Sequence, residues 1–133
     1  MQNENSGKLC DRTIDYGLAV MDYVETLPHN PAGRHISDQL LRSATSVAAN
    51  YAEASEAESV DDFIHKMKVA MKELKESRVW LLFARRLQAS EGVERLRDEA
   101  RQLILMFGKS LVTATSRSKG YGTSTRALDG RAM

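Results

Sequence analysis

The sequence predicts an all-α fold, an antiparallel up-down-up-down four-helix bundle, on three observations. Only two prolines occur, Pro28 and Pro31, both in one short stretch. The remainder is rich in Ala, Leu, Glu, Lys and Arg, which lose little on entering a helix. Apolar residues recur every three or four positions in four segments, a spacing that gathers them on one helical face. Short connections between such segments make neighbouring helices antiparallel. No strand pattern and no internal repeat compete with this reading.

The first helix is expected from about Asp11 to Leu27, with Ile14, Leu18, Met21, Val24 and Leu27 as its apolar stripe. The segment Pro28-His29-Asn30-Pro31-Ala32-Gly33 ends it in a turn. The second helix is expected from Arg34 or Ser37 to Ser55, with Ile36, Leu40, Ala44, Val47 and Tyr51 in one narrow arc. Ser59-Val60-Asp61-Asp62 reads as a capping box that opens the third helix, which continues to about Ala89. Its core arc is Phe63, Met67, Ala70, Leu74, Leu81 and Leu87. Ser90 is placed to cap the fourth helix, whose stripe is Val93, Leu96, Ala100, Leu103, Phe107 and Leu111. The expected organisation is a disordered N-terminus over 1–10, the bundle over 11–115, and a flexible basic tail rich in Gly, Ser and Thr over 116–133.

A chain of 133 residues with 42% hydrophobic and 28% charged residues is long enough to bury one domain core. No apolar run approaches the length of a membrane span, and the N-terminus lacks an apolar signal segment, so a soluble, cytoplasmic protein is expected. The single cysteine, Cys10, excludes an internal disulfide and a multi-cysteine metal site. The net charge of +1 hides a polarity. Residues 1–66 carry 5 Lys/Arg against 11 Asp/Glu, and residues 67–133 carry 14 against 7. Either the chain presents one acidic and one basic surface, or the acidic half pairs with the basic half within or between subunits.

Two features go beyond a plain bundle. Opposite the core arc of the third helix lie Val69, Trp80 and Phe83, clustered around Glu73 and Glu76, which suggests a subunit interface. On the second helix Arg42, Ser46 and Glu53 share a polar stripe with Asn50 just off the line. That stripe is either solvated or a hydrogen-bonded network at a helix–helix contact. Arg78 is the expected partner of Glu53.

Catalytic and metal chemistry find little footing. A di-metal bundle site needs paired Glu-x-x-His motifs on separate helices, and the nearest match is a single Asp62-x-x-His65. His29 and His35 flank the turn with no nucleophile in context, and no phosphate loop or dinucleotide fingerprint occurs. No cofactor is expected. Nucleic acid is better supported. Lys68, Lys72, Lys75 and Arg86 lie almost in line on the third helix, Arg95, Arg97 and Arg101 add charge on the fourth, and Arg117, Lys119, Arg126 and Arg131 lie in the tail. Apart from Tyr121 there are no aromatics for base stacking, so the expected contact is with the backbone rather than with sequence. A lysine-rich face that is merely solvated is the competing reading.

The stretch from Gln39 to Ala84 carries a resemblance. Gln39, Leu40, Arg42, then Ser46, Val47, Asn50, Tyr51, Ala52 and Glu53, then Phe63, Ile64, Lys72, Glu73, Glu76, Ser77, Trp80 and Leu81 fall in a spaced pattern. This pattern resembles the small four-helix-bundle proteins encoded in intervening sequences of bacterial large-subunit ribosomal RNA genes. Val79 stands where Tyr is common in that family, and Tyr51 replaces the usual Ile. The resemblance implies homopentameric rings, and a similarity to accessory proteins of diversity-generating retroelements, which bind a reverse transcriptase and nucleic acid. It implies no catalytic site. The function expected is therefore a non-enzymatic oligomeric scaffold or adaptor. Its partners would be copies of itself and RNA, DNA or a nucleic-acid enzyme, with no membrane contact. The alternative is a purely protein-binding module.

Overall fold

The computed structural model describes the backbone of residues 4–128 and the side chains of residues 7–120. Four helices form, α1 (Glu4–Val24), α2 (Pro31–Ser55), α3 (Val60–Leu87) and α4 (Glu91–Leu128), and there is no strand among the described residues. They pack around one core as a helical bundle. α2 lies against α1 and α3, α3 lies against α4, and α4 meets α1 along the thinnest seam. No described helix is long and apolar enough to cross a membrane.

Local chemistry sets the helix starts. Asn30, in an extended conformation, accepts a hydrogen bond from the Gly33 N–H at 2.9 Å and leaves Pro31 at the first helical position. Proline there loses no hydrogen bond, so α2 begins three residues or more before the sequence expectation. A Cβ on Gly33 would lie 1.8 Å from the Pro28 carbonyl oxygen, so this turn closes only around glycine. Ser59 accepts from the Asp62 N–H at 3.0 Å, and Ser90 accepts from the Val93 N–H at 3.2 Å, opening α3 and α4 as expected.

Both ends of the helical region extend past their expected limits. α1 starts at Glu4, within the stretch expected to be disordered, because Leu9 and Thr13 continue its buried stripe toward the N-terminus. α4 runs to Leu128, through much of the expected tail. Ala114 is still buried, and Ser118 donates to the Asp61 carboxylate at 2.9 Å, which anchors the helix beyond Thr115. Residues 129–133, and with them Arg131, lie outside the described residues, as do the side chains of Tyr121 and Arg126.

The core stripes of α2, α3 and α4 are those the sequence predicts, except that Leu87 and Leu111 are only half-buried. α1 differs. Its buried stripe is Leu9, Thr13, Tyr16, Val20 and Tyr23, continued by Leu27 just past its end, whereas Ile14, Leu18 and Met21 are 44–52% exposed. The two stripes lie on nearly opposite sides of one helix, and of the expected stripe Ile14, Leu18 and Met21 are on the outer side, while Val24 is half-buried and Leu27 is buried as expected. The inner stripe wins because its two tyrosines bury large rings and find partners for their hydroxyls. Tyr16 reaches Ser77 Oγ across the core at 2.8 Å. Ser77 already donates to the Leu74 carbonyl at 2.7 Å, so its single proton is used and Tyr16 is the donor. Tyr23 donates to the Gln88 carbonyl at 2.6 Å. The other diagonal is closed by Tyr51 of α2, stacked on Phe107 of α4 with ring centroids 5.6 Å apart. No buried polar side-chain atom among the described residues lacks a partner.

Burial pushes the Tyr16 hydroxyl up to about 12. Folding stability linked to this group is intact below the unfolded value near 10 and is lost as pH rises toward 12, because the unfolded chain ionises first. Over that window the loss is about 2–3 kcal/mol. Tyr16→Phe should remove this part of the alkaline instability and cost about 1 kcal/mol at neutral pH, read by urea denaturation at several pH values. Gly33→Ala should destabilise by at least about 2 kcal/mol, since the Pro28 backbone must move; an unchanged thermal midpoint would contradict the packed turn.

Candidate functional site

The basic residues singled out in the sequence do not form one surface. Lys68, Lys72, Lys75 and Arg86 are all exposed along one flank of α3. Arg97 and Arg101 of α4 join that flank, lining with Arg78 and Leu82 a cleft of about 230 Å³ between the two helices. Arg95 faces away, into the groove between α1 and α4 that Asp15, Asp22 and Glu99 also line. It is paired with Glu91 at 3.6 Å. Arg117 and Lys119 are exposed on the last described turns of α4 and belong to the helix rather than to a loose tail. Arg78 was not among the expected basic contacts. Glu53, its expected partner, lies instead 3.9 Å from Lys66. Arg78 shares a flank with Lys75 and Leu82 when α3 is drawn at 3.6 residues per turn, which is the signal that identifies it.

Ion pairs hold the α4 side of the cleft open. Arg97 donates to Glu94 at 2.7 Å, and Arg85 meets the other oxygen of Glu94 at 3.2 Å. Arg101 donates to Asp98 at 2.9 Å, and Gln102 donates to the second Asp98 oxygen at 2.7 Å. The Arg101 and Gln102 hydrogen bonds hold the Asp98 carboxyl below its ordinary range. Each arginine is thus steadied by a carboxylate one turn earlier on its own helix.

The expected oligomer-interface residues divide in two. Arg42, Glu73, Glu76 and Trp80 form a network within one chain, joining α2 to α3. Arg42 donates to Glu73 at 3.2 Å and to Glu76, and the Trp80 indole N–H donates to Glu76 at 3.1 Å. The indole bond first, then Arg42, holds the Glu76 carboxyl below its ordinary range. Trp80 is half-buried, edge-on to His35 of α2 at 5.6 Å and beside Phe83 at 5.6 Å. Ser46 and Asn50 donate back to the carbonyls of Arg42 and Ser46 at 2.7 and 2.8 Å, within α2. Val69 is half-buried. Phe83, 54% exposed, stands free with Val79 and Leu82 on the outside of α3.

The pairs that join the two charge-polarised halves are Arg12 with Glu99 at 2.6 Å, and Arg42 with Glu73 and Glu76. Each takes a base from the acidic half and an acid from the basic half. Folding therefore sharpens the asymmetry left on the surface: acidic residues Asp11, Asp15 and Asp22 along α1 with Glu25 just past its end, and basic residues along α3.

Among the described residues no cluster of three or more His, Cys, Asp or Glu is arranged to hold a metal. His65 is exposed, with Asp62 turned toward Lys66 at 3.9 Å. The groove between α1 and α4, about 510 Å³, is open and lined by Tyr16, Tyr23 and the acids around Arg95. Tyr16 and Tyr23 spend their hydroxyls on Ser77 and Gln88, so the groove offers no free nucleophile from them.

Comparison with known proteins agrees with this architecture. Residues 7–109 match the family model of the 23S rRNA-intervening sequence protein, which takes in most of α1, α2, α3 and half of α4. A crystal structure of a protein of unknown function from the S23 ribosomal protein family of Bacteroides thetaiotaomicron is similar over 77% of this chain and 97% of its own. The TM-score is 0.71 and the identity 27%. No match is found among curated proteins. The chain belongs to the 23S rRNA-intervening sequence protein family.

Proposed function

We propose that the chain is a non-enzymatic, cytoplasmic scaffold or adaptor that assembles as a homopentamer and contacts RNA or a nucleoprotein partner through the basic flank of α3 and α4. The observation that carries this reading is the run of exposed cations, Lys68, Lys72, Lys75 and Arg86, leading to the cleft between α3 and α4. On α4 Glu94 and Asp98 pair with its arginines, and the row on α3 lies beside the exposed Val79 and Phe83. A family named for an intervening sequence of ribosomal RNA, and a structural neighbour assigned to a ribosomal protein family, lend the nucleic-acid side further support. Five copies would repeat the cationic flank around a ring, and each weak phosphate contact would count several times through effective concentration.

Within each subunit the proposed topology is an antiparallel up-down-up-down four-helix bundle. Tyr23 at the end of α1 meets Gln88 just past the end of α3, and Arg12, earlier in α1, meets Glu99 and Met106 further along α4. Exposed apolar residues on two separate faces, Ile14, Leu18 and Met21 on α1 and Val79 and Phe83 on α3, suit self-association. The same faces favour the second reading, a purely protein-binding module, if their partner is a different chain.

Size-exclusion chromatography with light scattering, recorded at 260 and 280 nm, tests the assembly. A mass of five protomers carrying nuclease-sensitive 260 nm absorbance is expected. A clean pentamer without nucleic acid favours the protein-binding module, and a monomer removes the scaffold. Phe83→Glu should shift the mass toward the single protomer without lowering helicity, because the side chain is solvent-facing in the monomer. An intact oligomer would rule out this part of α3 as interface. Reversing Lys68, Lys72 and Lys75 to Glu should weaken RNA binding at least about tenfold at low salt and flatten the salt dependence by about two in log–log slope. Unchanged affinity would eliminate the lysine row as a contact.

A further inference from the structure

The cleft between α3 and α4 has a composition that bundle packing does not explain. Its lining consists of Arg78, Leu82, Arg97 and Arg101, with no carboxylate on its wall. Arg97 and Arg101 are four residues apart on one helix, a like-charge spacing that disfavours the helix. Arg78 brings a third guanidinium from the facing helix. Glu94 and Asp98 each pair with one arginine, and Glu94 is shared with Arg85 of the facing helix. Among the described residues the Arg78 side chain has no ion-pair or hydrogen-bond partner. A bundle stabilised only by its core gains nothing from three such groups around one space of about 230 Å³. Two carboxylates, one of them shared with Arg85, face these arginines, and an anion placed in the cleft would meet the unpaired Arg78 and the remaining donors of Arg97 and Arg101.

We infer that this cleft is a phosphate-binding site that takes one backbone phosphate of a nucleic-acid strand, with Arg78, Arg97 and Arg101 as its donors. A planar carboxylate matches the fork of one guanidinium, whereas the tetrahedral phosphoryl group presents oxygens in several directions and suits donors converging from two helices. Leu82, on the cleft wall, supplies an apolar surface for the adjoining sugar. Arg97 and Arg101 are held by their carboxylates before any ligand arrives, so little side-chain freedom remains to be lost at these two positions. Arg78 alone must order on binding. The inference rests on the nucleic-acid reading for the source of the phosphate, but not for the existence of the site.

The test is fluorescence anisotropy of a labelled oligouridine with the full chain, its Arg78→Gln variant and an Arg95→Gln control on the opposite side of α4. Arg78→Gln should weaken binding about five- to tenfold at low salt and lower the salt slope by about 0.7, the share of one phosphate on a single strand. Its thermal midpoint should stay level or rise, since Arg78 supports no other side chain, and Arg95→Gln should bind as the parent does. Equal affinity and slope for Arg78→Gln and the parent would overturn the cleft while leaving a nucleic-acid surface elsewhere intact. A parent chain that ignores oligouridine, yet gains thermal stability from inorganic phosphate in an Arg78-dependent way, would keep the cleft and overturn the nucleic-acid source. Equal Arg78 dependence for a poly-glutamate peptide would overturn the phosphate selectivity and point to an acidic protein partner.

Discussion

The hydrogen bond from Tyr16 to Ser77 orients this bundle. It crosses the core from α1 to α3, is fully enclosed, and is completed by the Ser77 donation to the Leu74 carbonyl. α1 is apolar on two sides, so hydrophobic burial alone leaves its rotation about its own axis undetermined. Burying Tyr16 elsewhere would strand a hydroxyl, at a cost of about 1–3 kcal/mol. The pair therefore acts as a register pin, and Tyr23 on Gln88 repeats it at the other end of the helix.

Fixing α1 in this rotation decides what the outside of the molecule looks like. Ile14, Leu18 and Met21 turn to solvent together with Asp11, Asp15 and Asp22, which gives an apolar and acidic exterior. α3 presents the complementary exterior, with Val79, Leu82 and Phe83 among lysines and arginines. The ion pairs across the two halves, Arg12 with Glu99 and Arg42 with Glu73 and Glu76, draw on part of the minority charge of each half. Exposed pairs of this kind contribute only about 0.2–1 kcal/mol each. Their greater consequence is electrostatic, because they leave a stronger dipolar surface than composition suggests.

The polar stripe of α2 shows how motif residues divide their labour. Arg42, Glu73, Glu76 and Trp80 interlock α2 with α3 and place the indole edge-on to His35. Ser46 and Asn50 instead donate to carbonyls of their own helix. This network thus fixes the seam from which α3 carries its basic flank.

The four helices, their caps at Ser59 and Ser90, and the buried stripes of α2, α3 and α4 were readable from sequence, because each of those segments has one dominant apolar arc. The family pattern was readable too, since spacing along one helix survives without knowledge of its neighbours. The α1 face was not, because two stripes of similar hydrophobicity compete and only a buried partner for Tyr16 separates them. Nor was the start of α2, where Asn30 and Gly33 turn what looks like a loop into a capped helix. Arg78 looked like a partner for Glu53 until packing placed it opposite Arg97 and Arg101 instead. Periodicity along the chain specifies what a helix can bury; only the contact between helices decides which face it does bury, and which charges meet across the seam.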